Sequence, residues 1–247
     1  MIDPPARADL AEALDEALVS FTRLVRGLIL VEGSGSAAVP GMDWTVADVV
    51  AHVTTLHRRG IDDLRRSATA DETAALNDLC LREQPVRELA TLLELIERDG
   101  PQCHAGLSRL PESALFPFHG GTSTSVVPVS GVLLAEYLVH SDDICRATGR
   151  SVPPDPDHAR LAVLAIAPLL TSWGVPGDPV EVTVRLTDTG DVLTFRGNDD
   201  GLTVENGRSD GRASVETDAA DWLLAFPFGR RPLPSGATPL AGRVAPI

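Results

Sequence analysis

The chain has 247 residues and a formal net charge of −14, enough length for one large domain or two modest ones with a real core. Acidity on this scale argues against a nucleic-acid binder, which needs a basic patch. There is no apolar run of the roughly eighteen residues that a membrane-spanning helix needs, and the acidic start "MIDPPARADLAEALDEAL" lacks the basic and apolar regions of a signal peptide, so the sequence predicts a cytosolic protein.

The first expected helix covers residues 5–30, where Leu10, Leu14, Leu18, Phe21, Val25 and Leu28 recur at three- and four-residue steps and define one buried face. "EGSGSAAVPG" reads as a loop. "WTVADVVAHVTTLHRRG" is a second helix: Thr45 is its N-cap, Asp48 completes a capping box, and Trp44 and Val49 are placed as a hydrophobic staple. A third helix runs from about Asp71 towards Arg98, disturbed at Pro85, with a further turn or two after Pro101. "PFHGGTSTSVVPVSG" reads as a flexible loop. Next comes "GVLLAEYLVHSDDICRATG", a buried helix expected to start at Ser130 and stop at Gly149. "RSVPPDPD" is a linker or boundary. Residues 158–173 form another apolar helix, and then the period changes. Val180, Val182, Val184 and Leu186 alternate, and "DTGD" and "NDDG" mark turns, so an antiparallel meander is expected, followed by a short helix ending near Pro227. The expected class is α+β. A four-helix bundle occupies residues 1–152 and a smaller α+β domain with an antiparallel sheet occupies residues 158–247.

The chemistry is concentrated in the buried helix. Glu136 and His140 are four residues apart, so their side chains lie one above the other. A buried carboxylate is costly unless it is paired or bound to a cation. An isolated Glu-x-x-x-His pair can satisfy itself as a salt bridge. A third ligand would make a two-His, one-Glu set, which leaves a fourth metal position open for water or substrate. The candidates are His52 and His57, with periodicity slightly favouring His57. His104 and His119 are weaker, one after a break and the other in a loop. Asp143 could orient His140 through its other ring nitrogen or be a solvated helix charge. Tyr137 either lines the site or is an ordinary core residue. Cys145 points away from the Glu136 row. The three cysteines, Cys80, Cys103 and Cys145, are far apart and read as buried small side chains.

Two stretches carry a resemblance. "WTVADVVAH", a capped helix with His52 eight residues after Trp44, and "EYLVHSDDI" followed by "ATG" resemble the DinB-like helical bundles. Together with "SVETDAADWLLAFPFGR", which is similar to the helix and Gly-Arg of a sterol-carrier-like domain, they resemble the mycothiol-dependent maleylpyruvate isomerase family over nearly the whole chain. The resemblance implies a divalent metal, zinc, held by His52, Glu136 and His140. It implies mycothiol or a similar thiol as cosubstrate, a small electrophilic acid as substrate, and arginines at the site. By position these are Arg230, with Arg231 as its neighbour, and Arg82, which also reads as a surface charge. The implied activity is thiol-dependent isomerisation. The alternatives are thiol transfer on the same ligands and a non-catalytic protein that binds a small molecule. The loop "GGTSTS" departs from the bulkier polar residues that relatives often carry there.

Overall fold

The structure is a computed structural model that describes residues 2–69, 71–207 and 214–244. Four long helices, α1 (Arg7–Ile29), α2 (Val46–Ile61), α4 (Leu89–Arg109) and α5 (Val126–Thr148), pack around a common core, with the short α3 (Asp71–Glu83) laid against α2. The predicted start of α2 is present: Asp48 N donates to Thr45 Oγ1 at 3.2 Å and Thr45 N donates to Asp48 Oδ2 at 2.9 Å, closing the capping box. The expected third helix is two helices. The chain breaks at 84–88, beside Pro85, and Glu88 caps the new helix by accepting from Thr91 N at 2.7 Å. The second of these then continues through Pro101 to Arg109. The buried stripe Leu92, Ile96, Cys103, Leu107 spans the proline, so packing outweighs the roughly 3 kcal/mol a mid-helix proline costs.

The segment read as a flexible loop is ordered as a small hairpin, β1 (Phe116–Pro117) and β2 (Ser123–Thr124), around a turn at His119–Gly121. The fifth helix begins at Val126 rather than after Ser130. Pro128 falls in its first turn, where no intrahelical N–H is missed. Its predicted stop holds, with Gly149 at φ 67° as a left-handed cap whose N–H donates to Cys145 O.

Helix α6 (Pro156–Ser172) packs along α5 on one side and against the sheet and α7 (Ala219–Ala225) on the other. The meander of β3 (Val180–Leu186), β4 (Val192–Asn198) and β5 (Gly201–Asn206) is antiparallel as expected. A fourth strand, β6 (Val215–Thr217), joins β3 in parallel, so the sheet is mixed, in the order β5-β4-β3-β6. Phe195, Trp222 and Phe226 stack between sheet and α7, with ring centroids 5.1–5.3 Å apart. One cluster of buried apolar side chains runs from α1 to the sheet. No helix among the described residues is long and apolar enough to cross a membrane.

The helices α5 and α6 meet at Gly131, where an added Cβ would lie 2.4 Å from Ala165 Cβ. Gly131→Val is expected to lower stability by about 1–3 kcal/mol through overpacking. Its urea midpoint would show this, and an unchanged midpoint would mean that α5 and α6 are free to separate.

Candidate functional site

His52 comes from the middle of α2, and Glu136 and His140 from successive turns of α5. The bundle brings them together in its interior. Both histidines are almost fully buried, and Glu136 Oε2 lies 2.8 Å from His140 Nε2 and 3.7 Å from His52 Nε2. One ligand atom from each residue falls within 4.8 Å of the others. Tetrahedral zinc with bonds of roughly 2.0–2.2 Å separates its ligand atoms by roughly 3.3–3.6 Å, so the set is close to the size a metal ion needs.

The orientation of His140 suits a metal ligand. Its Nδ1 lies 3.1 Å from Asp143 Oδ2, and the fully buried Asp143 is in turn held by Arg230 Nε at 3.2 Å. With Nδ1–H donating to Asp143, Nε2 is the nitrogen turned towards Glu136. Despite the short distance, Nε2 makes no hydrogen bond, and neither does Nδ1 of His52. The residues therefore fit a divalent metal, with Asp143 orienting one ligand.

Burial depresses His52 from 6.5 to about 4, although Glu136 opposes this. Burial also disfavours charge on His140, but Asp143 and Glu136 outweigh it and raise the imidazole to about 9. Glu136 is held below the usual carboxylate range by the two histidines against the effect of its own burial. Without a metal, the two carboxylates thus keep a proton on His140.

His57, the rival candidate, is engaged elsewhere. Its Nε2 lies 2.6 Å from Tyr137 Oη, which also meets His104 Nε2 at 3.0 Å, while His104 Nδ1 contacts Asp15 at 2.7 Å. Tyr137 thus anchors a separate polar network. Burial, helped by His104, lowers His57 from 6.5 to about 3. The unfolded chain therefore takes up this proton first as pH falls. The stability linked to His57 is complete above pH 6.5 and is lost towards pH 3, on the order of a few kcal/mol. His57→Gln is expected to flatten the fall of the urea midpoint over that range. An unchanged slope would show that His57 is not the acid-sensitive group.

A cavity with about 720 Å³ of empty space, its open mouth included, reaches Glu136 from outside. Leu56, Leu107, Phe118, Val129, Val132 and Leu133 supply apolar wall, and Arg59, Arg66, Asn77 and His119 supply polar wall. Burial, Arg59 and Arg66 together lower His119 to about 4. Cys103 also lines the cavity, but burial pushes its thiol up to about 11. Burial raises Cys145 as well.

The structure does not bring Arg82 to the cluster. The register of α3 turns Cys80 and Leu81 inward and leaves Arg82 exposed. Arg230 reaches the cluster only through Asp143, and Arg231 pairs with Asp142 at 2.9 Å and with Asp221. The tandem Asp142-Asp143 on α5 is thus clasped by the tandem arginines after α7. Arg59 and Arg66 were not anticipated. The available signal was spacing, because Arg59 is seven residues after His52 and so shares its helix face.

A helical bundle with a buried His/Glu/His cluster, continued into an α+β unit, defines the class of protein. The family model for the mycothiol maleylpyruvate isomerase N-terminal domain matches residues 14–145, and the chain belongs to that family. A solved structure described as the mycothiol-dependent maleylpyruvate isomerase covers 90% of this chain and 90% of its own, with TM-score 0.54 and 14% sequence identity, a likeness of fold. No curated protein matches.

Proposed function

We propose that the protein is a metal-dependent enzyme that uses a low-molecular-weight thiol, such as mycothiol, to isomerise a small electrophilic acid. The observation that carries this reading is the convergence of His52, Glu136 and His140, one ligand atom from each within 4.8 Å of the others, beside a cavity that reaches Glu136. His52, Glu136 and His140 would hold the ion, zinc in the first instance. When bound, it would supply the positive charge that keeps a thiol ionised at neutral pH. Asp143 fixes the ring of His140, and the apolar wall limits access of water. Burial holds the thiol of Cys103, which lines the cavity, protonated, and this supports a thiol supplied from solution. Isomerisation is balanced by thiolate adding to the conjugated double bond, rotation about the resulting single bond, and loss of the same thiolate.

Thiol transfer to an electrophile is the second reading. The extent of apolar wall around the cavity, more than a small diacid needs, favours it. Both are tested by supplying zinc-loaded protein with mycothiol and either maleylpyruvate or an apolar electrophile. A thiol-dependent product without sulfur identifies the isomerase, and a thioether identifies the transferase. Lack of thiol-dependent turnover with either class would overturn the reading.

A further inference from the structure

Arg59 ends the functional face of α2 and is only 5% exposed. Its Nη1 lies 3.2 Å from His119 Nε2 and its Nη2 donates to Asn77 Oδ1 at 2.9 Å, while its buried Nε has no partner. Arg66 is half-buried beside it. Its guanidinium donates to the backbone carbonyls of Arg59, Asp63 and Arg65 at 2.7–3.0 Å. Neither arginine makes an ion pair with a carboxylate among the described residues. The nearby carboxylate of Asp63 is taken by Arg65 at 2.6 Å, and that of Glu136 faces the two imidazoles. The buried Arg59 guanidinium has only the carboxylates of Glu136 and Asp63, neither bonded to it, to offset its charge, which is costly, and the half-buried Arg66 adds a second positive charge beside it. Both line the cavity that leads to Glu136, so a ligand there can supply the missing charge.

We propose that Arg59 and Arg66 form the carboxylate-binding end of this cavity, and that its ligand has an anionic head and an apolar body. A planar guanidinium matches a carboxylate with two parallel hydrogen bonds, and Leu56, Phe118 and Val132 would enclose the apolar part. The proposal rests on the thiol-enzyme reading only in treating that ligand as the electrophilic substrate. The anion site itself can be tested without metal or thiol.

The test is calorimetric titration of the full chain, stripped of metal by a chelator, with benzoate, benzyl alcohol and maleate. Benzoate is expected to bind at least ~10-fold tighter than its uncharged counterpart benzyl alcohol, and tighter than maleate, which has no apolar body. Arg59→Met and Arg66→Met should each lower benzoate affinity ~10-fold and leave benzyl alcohol unchanged. Arg59→Met should melt no lower than the parent, because it removes a buried unpaired charge. If it does not fold, Arg66→Met carries the same comparison. Equal binding of benzoate and benzyl alcohol, no binding of benzoate, or full benzoate affinity in the folded variants would overturn the proposal. Benzoate binding without thiol-dependent turnover would retain the anion site and reject the enzyme reading. Turnover without benzoate binding would do the reverse.

Discussion

Glu136→Ala is expected to lose metal binding and thiol-dependent turnover together while the bundle stays folded. Glu136 Oε2 is the atom common to both imidazoles, 2.8 Å from His140 and 3.7 Å from His52. Its removal takes the central ligand rather than a peripheral one. The fall in metal affinity should therefore exceed the ~10–100-fold typical of losing an outer partner. The fold survives because His140 keeps its contact with Asp143 and alanine suits a helix interior. The check is zinc affinity by chelator competition, alongside circular dichroism. A folded variant that still binds zinc as the parent does would show that the ion sits elsewhere.

Asp143→Ala is expected to weaken zinc binding by ~10–100-fold without removing any ligand. In the parent, Asp143 holds Nδ1 of His140 and is itself held by Arg230. Without it, the ring can turn and the proton can move to the nitrogen needed for metal. Arg230→Met leaves the His140–Asp143 bond in place, so its effect on zinc affinity should be smaller. If the two variants weaken zinc equally, Arg230 acts on the ion by another route than through Asp143. If Asp143→Ala leaves zinc affinity unchanged, His140 is oriented by packing alone.

Local signals in the sequence gave a reliable guide to local structure. Thr45 and Asp48 marked the start of α2, Gly149 marked the end of α5, and the alternation from Val180 marked the meander. What was not legible depended on tertiary contacts. Pro101 lies inside a helix because its flanks pack. Strand β6 is three residues long, too short for its own pattern to show its parallel pairing with β3. The candidate site divides the same way. Periodicity put Glu136 and His140 on one face. It could not separate His52 from His57, since both are buried in α2 and only the partner, Tyr137 or Glu136, distinguishes them. The resemblance pointed to His52. It also pointed to arginines distant in sequence, whereas the arginines that line the cavity sit in "HRRG" and "LRRS", where nothing in the local pattern marks a site.

The central claim is that His52, Glu136 and His140 hold a divalent cation. Its most direct test is zinc per chain by elemental analysis, after zinc is supplied and the excess removed, in the parent, His52→Ala and His57→Ala. The expected result is about one equivalent in the parent and in His57→Ala and none in His52→Ala, with zinc raising the melting temperature only where it binds. Parent protein that takes up no zinc would contradict the account, and Glu136, His140 and Asp143 would then be a purely structural chain of buried charges.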